Sequence, residues 1–350
     1  MEANVQYDFD KYGINENDFA TEMTDIEKHF KETEEYKGMF IVRSANDWIE
    51  QAKKRPIPKM LFDKFWFEGE LCILFADTNL GKSILAVQIA NSVSEGEEIT
   101  GFQMEAKKQL ILYFDFELSD KQFEPRYSLN FNNHYSFDEK FLRIEINPDA
   151  TFSENLTFEE YLNYSLEKSI SETGAKVLII DNITYLKSET EKAKDALPLM
   201  KYLKSLKTKY NLSILVLAHT PKRDLTKPLT KNDLQGSKML INFCDSSFAI
   251  GESQRDKNVR YLKQIKQRNT ELVYDSDNVC VCQIEKPQNF LQFSFLDFGT
   301  EREHLKQLSE MEKENVINKV KELSRQGYSQ RQISVEAGIS LGAVNKYLRK

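Results

Sequence analysis

Residues 69–96 read GELCILFADTNLGKSILAVQIANSVSEG, and the order of apolar and small residues in this stretch decides the fold. The apolar run at 71–75 predicts a buried strand, residues 76–80 a turn, and the residues from 81 onward a helix. The first turn of a helix has free backbone N–H groups and the positive end of the helix dipole, which favour a bound phosphate. The stretch therefore predicts a strand, a loop and a helix that together hold an anion.

The loop and the helix start match the nucleotide-binding pattern GxxxxGK[ST], except that alanine replaces the first glycine. Lys82 would reach the β- and γ-phosphates of ATP, the Ser83 hydroxyl would ligate Mg²⁺, and Gly81 would let the backbone approach closely. Ala76 is compatible with such a loop if its φ is negative. The residues predicted to bind the nucleotide are Ala76, Asp77, Thr78, Asn79, Leu80, Gly81, Lys82 and Ser83. The alternative is an ordinary helix start with a solvated lysine.

Composition indicates a globular chain with an uneven distribution of charge. Of the 350 residues, 40% are hydrophobic and 29% are charged, which indicates a globular rather than a disordered chain, and the length suggests two or three domains. The net charge of −7 argues against a uniformly basic nucleic-acid-binding protein. However, residues 1–50 carry 13 acidic and 5 basic side chains, whereas residues 311–350 carry 8 basic and 4 acidic ones. We therefore expect DNA binding at the C-terminal end.

The apolar runs and the cysteines bear on the cellular compartment. No apolar run approaches the ~20 residues needed to span a bilayer, and the acidic N terminus has no signal-peptide core. We therefore expect a cytoplasmic protein that makes no membrane contact. The four cysteines include no CxxC pair and are expected to be core thiols rather than metal ligands or disulfides. They are Cys72, Cys244, Cys280 and Cys282.

Two further buried strands are predicted to end in acidic residues. Residues 109–116 (QLILYFDF) precede Glu117, and residues 176–181 (KVLIID) end at Asp181. Carboxylates at the carboxyl ends of parallel strands face the crevice in which ligands bind. Glu117 is therefore a candidate general base that activates water, and Asp181 a candidate ligand in the Mg²⁺ water shell. The alternative for Glu117, together with Asp115, is a simple role in a turn before a helix.

Residues 213–219 (SILVLAH) predict another buried strand, which ends at His219. At this position the imidazole is either structural or a sensor of the γ-phosphate, and both interpretations stay open. The next segment, 220–238, contains two prolines and no apolar periodicity, which predicts a long mobile loop on the ligand side of the sheet. Its basic side chains could follow a single DNA strand, with a solvated loop as the alternative. They are Lys222, Arg223, Lys227, Lys231 and Lys238.

A second basic pair lies in the predicted strands that close the sheet. These strands are expected at residues 246–251, 259–266, 279–284 and 290–298. Lys266 and Arg268 alternate onto the same strand face near the domain edge. From there they could reach a nucleotide that is held by a neighbouring subunit.

The C-terminal residues predict a helix-turn-helix. Val316, Val320 and Leu323 mark one face of a helix that Gly327 ends, and two short helices around Gly338 follow. Ser340 would cap the last helix. The residues predicted to face the major groove or its phosphates are Ser340, Gly342, Ala343, Asn345, Lys346 and Arg349. The alternative is a helical hairpin that contacts another protein.

Taken together, these segments resemble the RecA-like ATPases, in particular the RepA and DnaB group of hexameric replicative helicases. ADTNLGKS is similar to their Walker A motif, FELS to the strand end that carries their catalytic glutamate, and LIID to their Walker B motif. VLAHTPKR resembles their sensor strand and KQIKQRN their Lys-x-Arg element, while the C-terminal segment resembles the helix-turn-helix of the resolvase group.

The resemblance implies an α/β fold with a RecA-like P-loop NTPase core, a mostly parallel sheet and a small all-α helix-turn-helix. It also implies that Glu117 polarises the attacking water, His219 senses the γ-phosphate, and Lys266 with Arg268 stabilises charge on the ATP of the adjacent subunit. The predicted domains are an acidic arm (1–44), the RecA-like ATPase domain (45–299), a linker (300–314) and the helix-turn-helix (315–350).

We therefore expect an ATP- and Mg²⁺-dependent motor that binds DNA, of the kind found as a replicative or mobilisation helicase of a plasmid or mobile element. The expected partners are duplex DNA at the helix-turn-helix, single-stranded DNA at the 221–238 loop, and further copies of the chain in a hexameric ring. An ATP-switched DNA-binding regulator, or a recombination accessory ATPase that does not unwind DNA, is the second interpretation. A third is a protein-remodelling or clock-type RecA ATPase.

Overall fold

The computed structural model of the chain describes residues 40–151, 157–183, 196–234, 237–307 and 310–349. The chain divides into two units, Met1–Ile57 and Pro58–Lys350. Most of the predicted acidic arm lies outside the described residues. The described part of the first unit contains helix α1 (Ala45–Lys53), which begins at an N-cap formed by Ser44 and buries none of its residues.

The second unit is built on strands, most of which follow apolar runs of the sequence. They are β1 (Met60–Phe62), β2 (Trp66–Phe67), β3 (Leu71–Ala76), β4 (Ile111–Asp115), β5 (Ser128–Leu129), β6 (Asn133–His134), β7 (Phe141–Ile144), β8 (Val177–Asp181), β9 (Ser213–His219), β10 (Ser246–Glu252), β11 (Val259–Lys266), β12 (Val279–Glu285) and β13 (Gln292–Gly299). The predicted strands agree with these bounds to within one or two residues.

The sequence pattern predicted some, but not all, of the helices in this unit. They are α2 (Lys82–Glu95), α3 (Asp120–Phe123), α4 (Phe158–Thr173), α5 (Ala196–Tyr210), α6 (Ser237–Phe243), α7 (Glu301–His304), α8 (Glu310–Arg325), α9 (Gln330–Glu336) and α10 (Leu341–Leu348). Short 3₁₀ turns lie at Glu124–Arg126 and Lys231–Asp233. In the part of the chain that the structure describes, no helix is long and apolar enough to cross a membrane.

The large sheet has nine strands in the order β7-β4-β8-β9-β3-β10-β11-β12-β13. The strands from β7 to β10 pair in parallel, and β11, β12 and β13 extend this sheet by antiparallel pairing. The predicted α/β class with a mostly parallel sheet is therefore confirmed. Parallel strands of this kind are apolar on both faces because helices cover both sides of the sheet.

Two hydrophobic clusters lie on opposite faces of the sheet. On one face, Leu85 and Ile89 of α2 pack with Leu74 of β3. On the other face, α4, α5 and α6 cover the alternate strand residues, for example Leu203 of α5 and Ile73 of β3. The four cysteines are free and buried, which confirms the prediction of core thiols. Both faces of the sheet are therefore covered, and the loops project from the strand ends.

The segment that follows β9 has more internal structure than the predicted mobile loop. Leu229 and Leu234 are buried, and Thr230 and Asp233 form a capping box around a 3₁₀ turn. The segment then enters helix α6, which the sequence pattern did not predict. Residues 220–230 form a loop, as predicted, and its mobility stays a prediction. The charged residues concealed the two leucines, which anchor the segment in the core cluster under α5 and α6.

The predicted linker begins with a buried ion pair. Glu301 in α7 has a fully buried side chain and lies 2.6 Å from Lys263 Nζ on β11. Its carboxylate also accepts hydrogen bonds from the backbone N–H of Leu229, from Ser276 Oγ and from Tyr261 Oη. The chain after β13 is therefore fixed to the sheet by a network of polar contacts before it reaches α8.

The three C-terminal helices pack around a small core of their own. Val320 of α8, Ile333 of α9 and Val344 of α10 are buried against one another. Ser340 caps α10 by accepting a hydrogen bond from the backbone N–H of Ala343, as expected from the sequence. Lys227, in the segment after β9, donates a 2.7 Å hydrogen bond to the carbonyl oxygen of Gly338 between α9 and α10.

Removal of the buried carboxylate of Glu301 should destabilise the protein strongly. Glu301→Ala leaves Lys263 charged and buried, and such a loss typically costs about 3–5 kcal/mol. In the same helix, Glu303 forms an exposed pair with Arg255, so Glu303→Ala should change the free energy of unfolding by less than about 0.5 kcal/mol. Urea denaturation of the two variants measures the difference, and equal destabilisation would contradict the assigned role of the network.

Candidate active site

Four neighbouring parallel strands end at one edge of the sheet. The strand order β3-β9-β8-β4 places their carboxyl ends side by side, with Ala76 paired to His219 and Asp115 paired to Asp181. Ligands of open α/β sheets bind in the crevice at this edge. The structure thus brings together the loop that contains Lys82 and the predicted residues at the ends of β4, β8 and β9.

The loop from Ala76 to the start of α2 has the backbone that a phosphate site needs. Ala76 is the last residue of β3, where the backbone is extended, so a glycine is not required there. The left-handed conformations fall on Asn79 (φ 64°) and Gly81 (φ 93°). A Cβ on Gly81 would also lie within 3 Å of Ile284 and Phe293, so this glycine is required both by its φ and by the close packing.

Lys82 is buried at the start of α2 and points back into the loop. Its Nζ donates to the carbonyl oxygens of Ala76 (3.1 Å) and Asp77 (3.0 Å) and lies 3.2 Å from His219 Nδ1. Burial lowers the pKa of this ammonium, and the nearby carboxylates of Asp181, Glu117 and Asp77 oppose that shift. The solvated-lysine alternative is wrong, because the side chain is inside the crevice rather than in solvent.

Asp181 at the end of β8 has one carboxylate oxygen that is ready for a ligand. Tyr113 Oη donates to Oδ2 at 2.7 Å, and the Ser83 side chain also hydrogen-bonds to this carboxyl group. Oδ1 is buried and has no hydrogen-bond partner. Burial raises the pKa of Asp181 to about 6, and the carboxylates of Glu117 and Asp115 add to that shift.

These residues fit a magnesium ion. Mg²⁺ keeps several of its waters and takes one or two protein oxygens next to substrate phosphates, rather than a cage of protein ligands. The unpaired Asp181 oxygen and the adjacent Ser83 hydroxyl are the donors such an ion uses. Within the described ranges, no group of three or more His, Cys, Asp or Glu side chains is arranged to hold a metal.

Glu117 lies on a turn that Asp115 organises. Asp115 Oδ1 accepts the backbone N–H groups of Glu117 (3.2 Å) and Leu118 (2.9 Å). The Glu117 carboxylate then projects towards the crevice, where Asn182 Nδ2 donates to Oε1 and His219 Nε2 lies 3.4 Å away. The hydrogen bond from His219 is the main cause of a lowered pKa for Glu117, which keeps this carboxylate ionised at neutral pH.

The two ring nitrogens of His219 contact different parts of the site. An ammonium group can only donate, so His219 Nδ1 must accept from Lys82. Nε2, the other ring nitrogen, lies 3.0 Å from Asn182 Nδ2 and 3.4 Å from Glu117 Oε1. His219 thus connects the lysine of the loop to the carboxylate on the neighbouring strand end.

Lys266 and Arg268 lie at the opposite end of the sheet from Lys82. Lys266 pairs with Ser247 at the start of β10, and its Nζ donates to the carbonyl oxygens of Ile241 and Cys244. Arg268 is half-exposed and lies 3.2 Å from Asp245. The structure therefore does not bring these two residues to the crevice of their own chain.

The basic residues of the segment after β9 differ in exposure. Lys222 and Lys231 are exposed, whereas Arg223 is half-buried and donates to the carbonyl oxygen of Lys227. Lys238 is in α6, and its side chain lies outside the described residues. In the C-terminal helices Gly342, Lys346 and Arg349 are exposed, and Ala343 and Asn345 are half-buried. Ser340 is exposed and acts as the N-cap described above.

The sequence interpretation did not identify Asn182, Tyr113 and Arg143 as contributors to the site. Asn182 comes directly after Asp181, and a second polar residue beside this strand end was a usable signal. Tyr113 is the one hydroxyl within the apolar residues of β4, and it bonds Asp181. Arg143 is on β7 and pairs with Asp115, a contact that depends on strand pairing and has no local sequence signal.

Replacing Asp181 by asparagine should stabilise the free protein at neutral pH. The raised pKa means that folding favours the protonated acid, so stability is lost as the pH rises from about 4 to about 6. A shift of about two pKa units corresponds to roughly 3 kcal/mol. Without nucleotide or Mg²⁺, Asp181→Asn should therefore resist urea better than the wild type at pH 7.5 and lose this advantage near pH 4. A variant that is less stable at pH 7.5 would contradict the assignment.

Comparisons with known proteins agree with this geometry. No curated protein matches the chain significantly. A model of the AAA domain family matches residues 41–224, just over half of the chain. The match contains the loop with Lys82 and the ends of β4, β8 and β9, and it stops before the strand that carries Lys266. The chain therefore belongs to the AAA domain family of P-loop ATPases.

Proposed function

We propose that this P-loop ATPase is a Mg²⁺-dependent enzyme that hydrolyses ATP in a ring of identical subunits and uses the energy to move on DNA. The observation that carries the enzymatic part is the convergence of Lys82, the unpaired Asp181 oxygen and Glu117 at one sheet edge. These are the three groups that phosphate binding, metal binding and activation of water require.

Each side chain has a distinct task in this proposal. Lys82 leaves the loop carbonyls and binds the β- and γ-phosphates. Glu117, kept ionised by His219 and Asn182, orients the attacking water and accepts its proton. His219 touches both Lys82 and Glu117, so its position changes with the phosphates. Bound Mg²⁺, held through Ser83 and Asp181, would neutralise charge on the phosphates.

The proposed ring explains the position of Lys266 and Arg268. Both are far from Lys82 of the same chain, so they can act on a nucleotide only if a second subunit presents it. Arg268 is half-exposed, and its contact with Asp245 is a single pair that a phosphate can replace. An arginine supplied by a neighbour stabilises charge that develops during hydrolysis.

The C-terminal helices are proposed to bind duplex DNA as a helix-turn-helix. Helices α9 and α10 are joined by a short turn around Gly338, and α10 exposes Gly342, Lys346 and Arg349. A small residue lets the helix approach the groove closely, while the basic side chains contact phosphates or guanine edges. The exposed Lys222 and Lys231 are proposed to contact single-stranded DNA in the ring.

A second function, an ATP-switched DNA-binding regulator that does not unwind DNA, is favoured by one contact. Lys227 follows the strand that ends at His219 and bonds the turn between α9 and α10, so the ATP site and the C-terminal helices are linked within one chain. A forked-duplex unwinding assay distinguishes the two. Strand separation that depends on ATP supports the motor, whereas ATP turnover without separation supports the regulator.

Lys82→Ala should abolish ATP hydrolysis. The variant loses the only ammonium that the loop directs at the phosphates, and we expect turnover to fall by at least ~10²-fold. Release of phosphate from ATP in the presence of Mg²⁺ measures the effect. Lys107→Ala, which removes an exposed lysine away from the crevice, is the matched control and should keep wild-type activity. Normal hydrolysis by Lys82→Ala would refute the proposal.

The double substitution Lys346→Ala and Arg349→Ala should weaken binding to a labelled duplex. Loss of two phosphate contacts lowers the slope of log K against log salt concentration by roughly 2. Fluorescence anisotropy at several salt concentrations gives this slope. Arg325→Ala is the control, because it removes a positive charge from the exposed end of α8 and not from α10. An unchanged slope in the double variant would exclude this helix as the DNA contact.

A further inference from the structure

We propose that Arg143 is a positioning residue for hydrolysis, because through Asp115 it holds the turn that presents Glu117 to the crevice. The inference rests on the proposed role of Glu117 and adds a residue on a different strand, outside the motifs that bind the nucleotide. Arg143 itself does not touch Lys82 or Asp181, so its effect must be transmitted through its contacts.

The contacts of Arg143 converge on the Glu117 turn. Its Nε and Nη2 each lie 2.9 Å from Asp115 Oδ2, and Nη2 also donates to the carbonyl oxygen of Leu118 at 2.6 Å. The other oxygen of Asp115 accepts the backbone N–H groups of Glu117 and Leu118. The guanidinium therefore binds both ends of the turn, one directly and one through the carboxylate.

Strand pairing brings the arginine to this place. Arg143 on β7 is the register partner of Tyr113 on β4, and Asp115 lies two residues further on the same face of β4. The guanidinium also stacks over the Phe123 ring, with its Cζ 4.7 Å from the ring centroid. A planar group fixed by a ring and by two acceptors is oriented more strictly than a lysine ammonium would be.

The charges in this arrangement depend on each other. The side chain of Asp115 is fully buried, so its negative charge requires the guanidinium beside it. Without Arg143, the carboxylate would lose the partner that orients it, and its hydrogen bonds to the turn would be lost. A displacement of about 1 Å at a catalytic group can lower a rate by roughly 100-fold.

The alternative is that Arg143 only anchors the edge strand β7. In that case its loss would lower stability and nucleotide binding, and its effect on turnover would not depend on Glu117. The positioning role makes the opposite prediction: turnover falls while nucleotide affinity remains, and the effect disappears once Glu117 has been replaced.

The test uses the full-length variants Arg143→Ala, Arg143→Lys, Glu117→Gln and the double variant Glu117→Gln/Arg143→Ala. Glu145→Gln is the matched control, because it removes only the outer, half-exposed partner of Arg143. Single-turnover hydrolysis of radiolabelled ATP gives the rates, and a fluorescent ATP analogue with Mg²⁺ gives the affinities. Thermal melting shows whether each variant is folded.

We expect Arg143→Ala to lower the hydrolysis rate by roughly 10- to 100-fold, with an affinity within about twofold of the wild type. Arg143→Lys should recover part of the rate, Glu145→Gln should match the wild type, and the double variant should match Glu117→Gln. A wild-type rate in Arg143→Ala, or a further loss in the double variant, would overturn the inference. If Arg143→Ala does not fold, a wild-type rate in Arg143→Lys overturns it. A wild-type rate in Glu117→Gln would instead refute the proposed function.

Discussion

The parallel pairing of β4, β8, β9 and β3 is the constraint on which the rest of the structure depends. Backbone hydrogen bonds fix the register of neighbouring strands less than 5 Å apart, so their ends cannot move independently. Residues that are far apart in the chain, such as Ala76 and His219, thereby become neighbours. Loops at this edge can vary in sequence while the strand ends continue to hold the same few side chains in place.

Burial shifts the pKa values of the charged groups in the crevice. The pKa of Lys82 is lowered and that of Asp181 is raised for the same reason, because each charge has lost its water. In the free protein Lys82 binds loop carbonyls, and one oxygen of Asp181 has no partner. Phosphates and a divalent ion supply the missing charges, so the binding of nucleotide should stabilise a site that is costly by itself.

The sequence predicted most of the sheet and its polar strand ends, because apolar runs such as residues 71–75 and 213–219 carry a strong local signal. It did not predict helix α6, nor that Leu229 and Leu234 in the charged segment before this helix are buried. It also did not identify Arg143, because the pairing of Arg143 with Asp115 depends on which strands are neighbours. Such contacts between distant residues follow from topology, which local patterns do not encode.

The central claim is that ATP binds at this sheet edge against Lys82. A crystal structure with Mg²⁺ and a non-hydrolysable ATP analogue tests it most directly. The account predicts that Lys82 Nζ leaves the carbonyl oxygens of Ala76 and Asp77 to bind the phosphates, and that Ser83 and Asp181 lie beside the metal ion. A nucleotide bound elsewhere, or a Lys82 that keeps its contacts with both carbonyl oxygens while the analogue is bound, would contradict it.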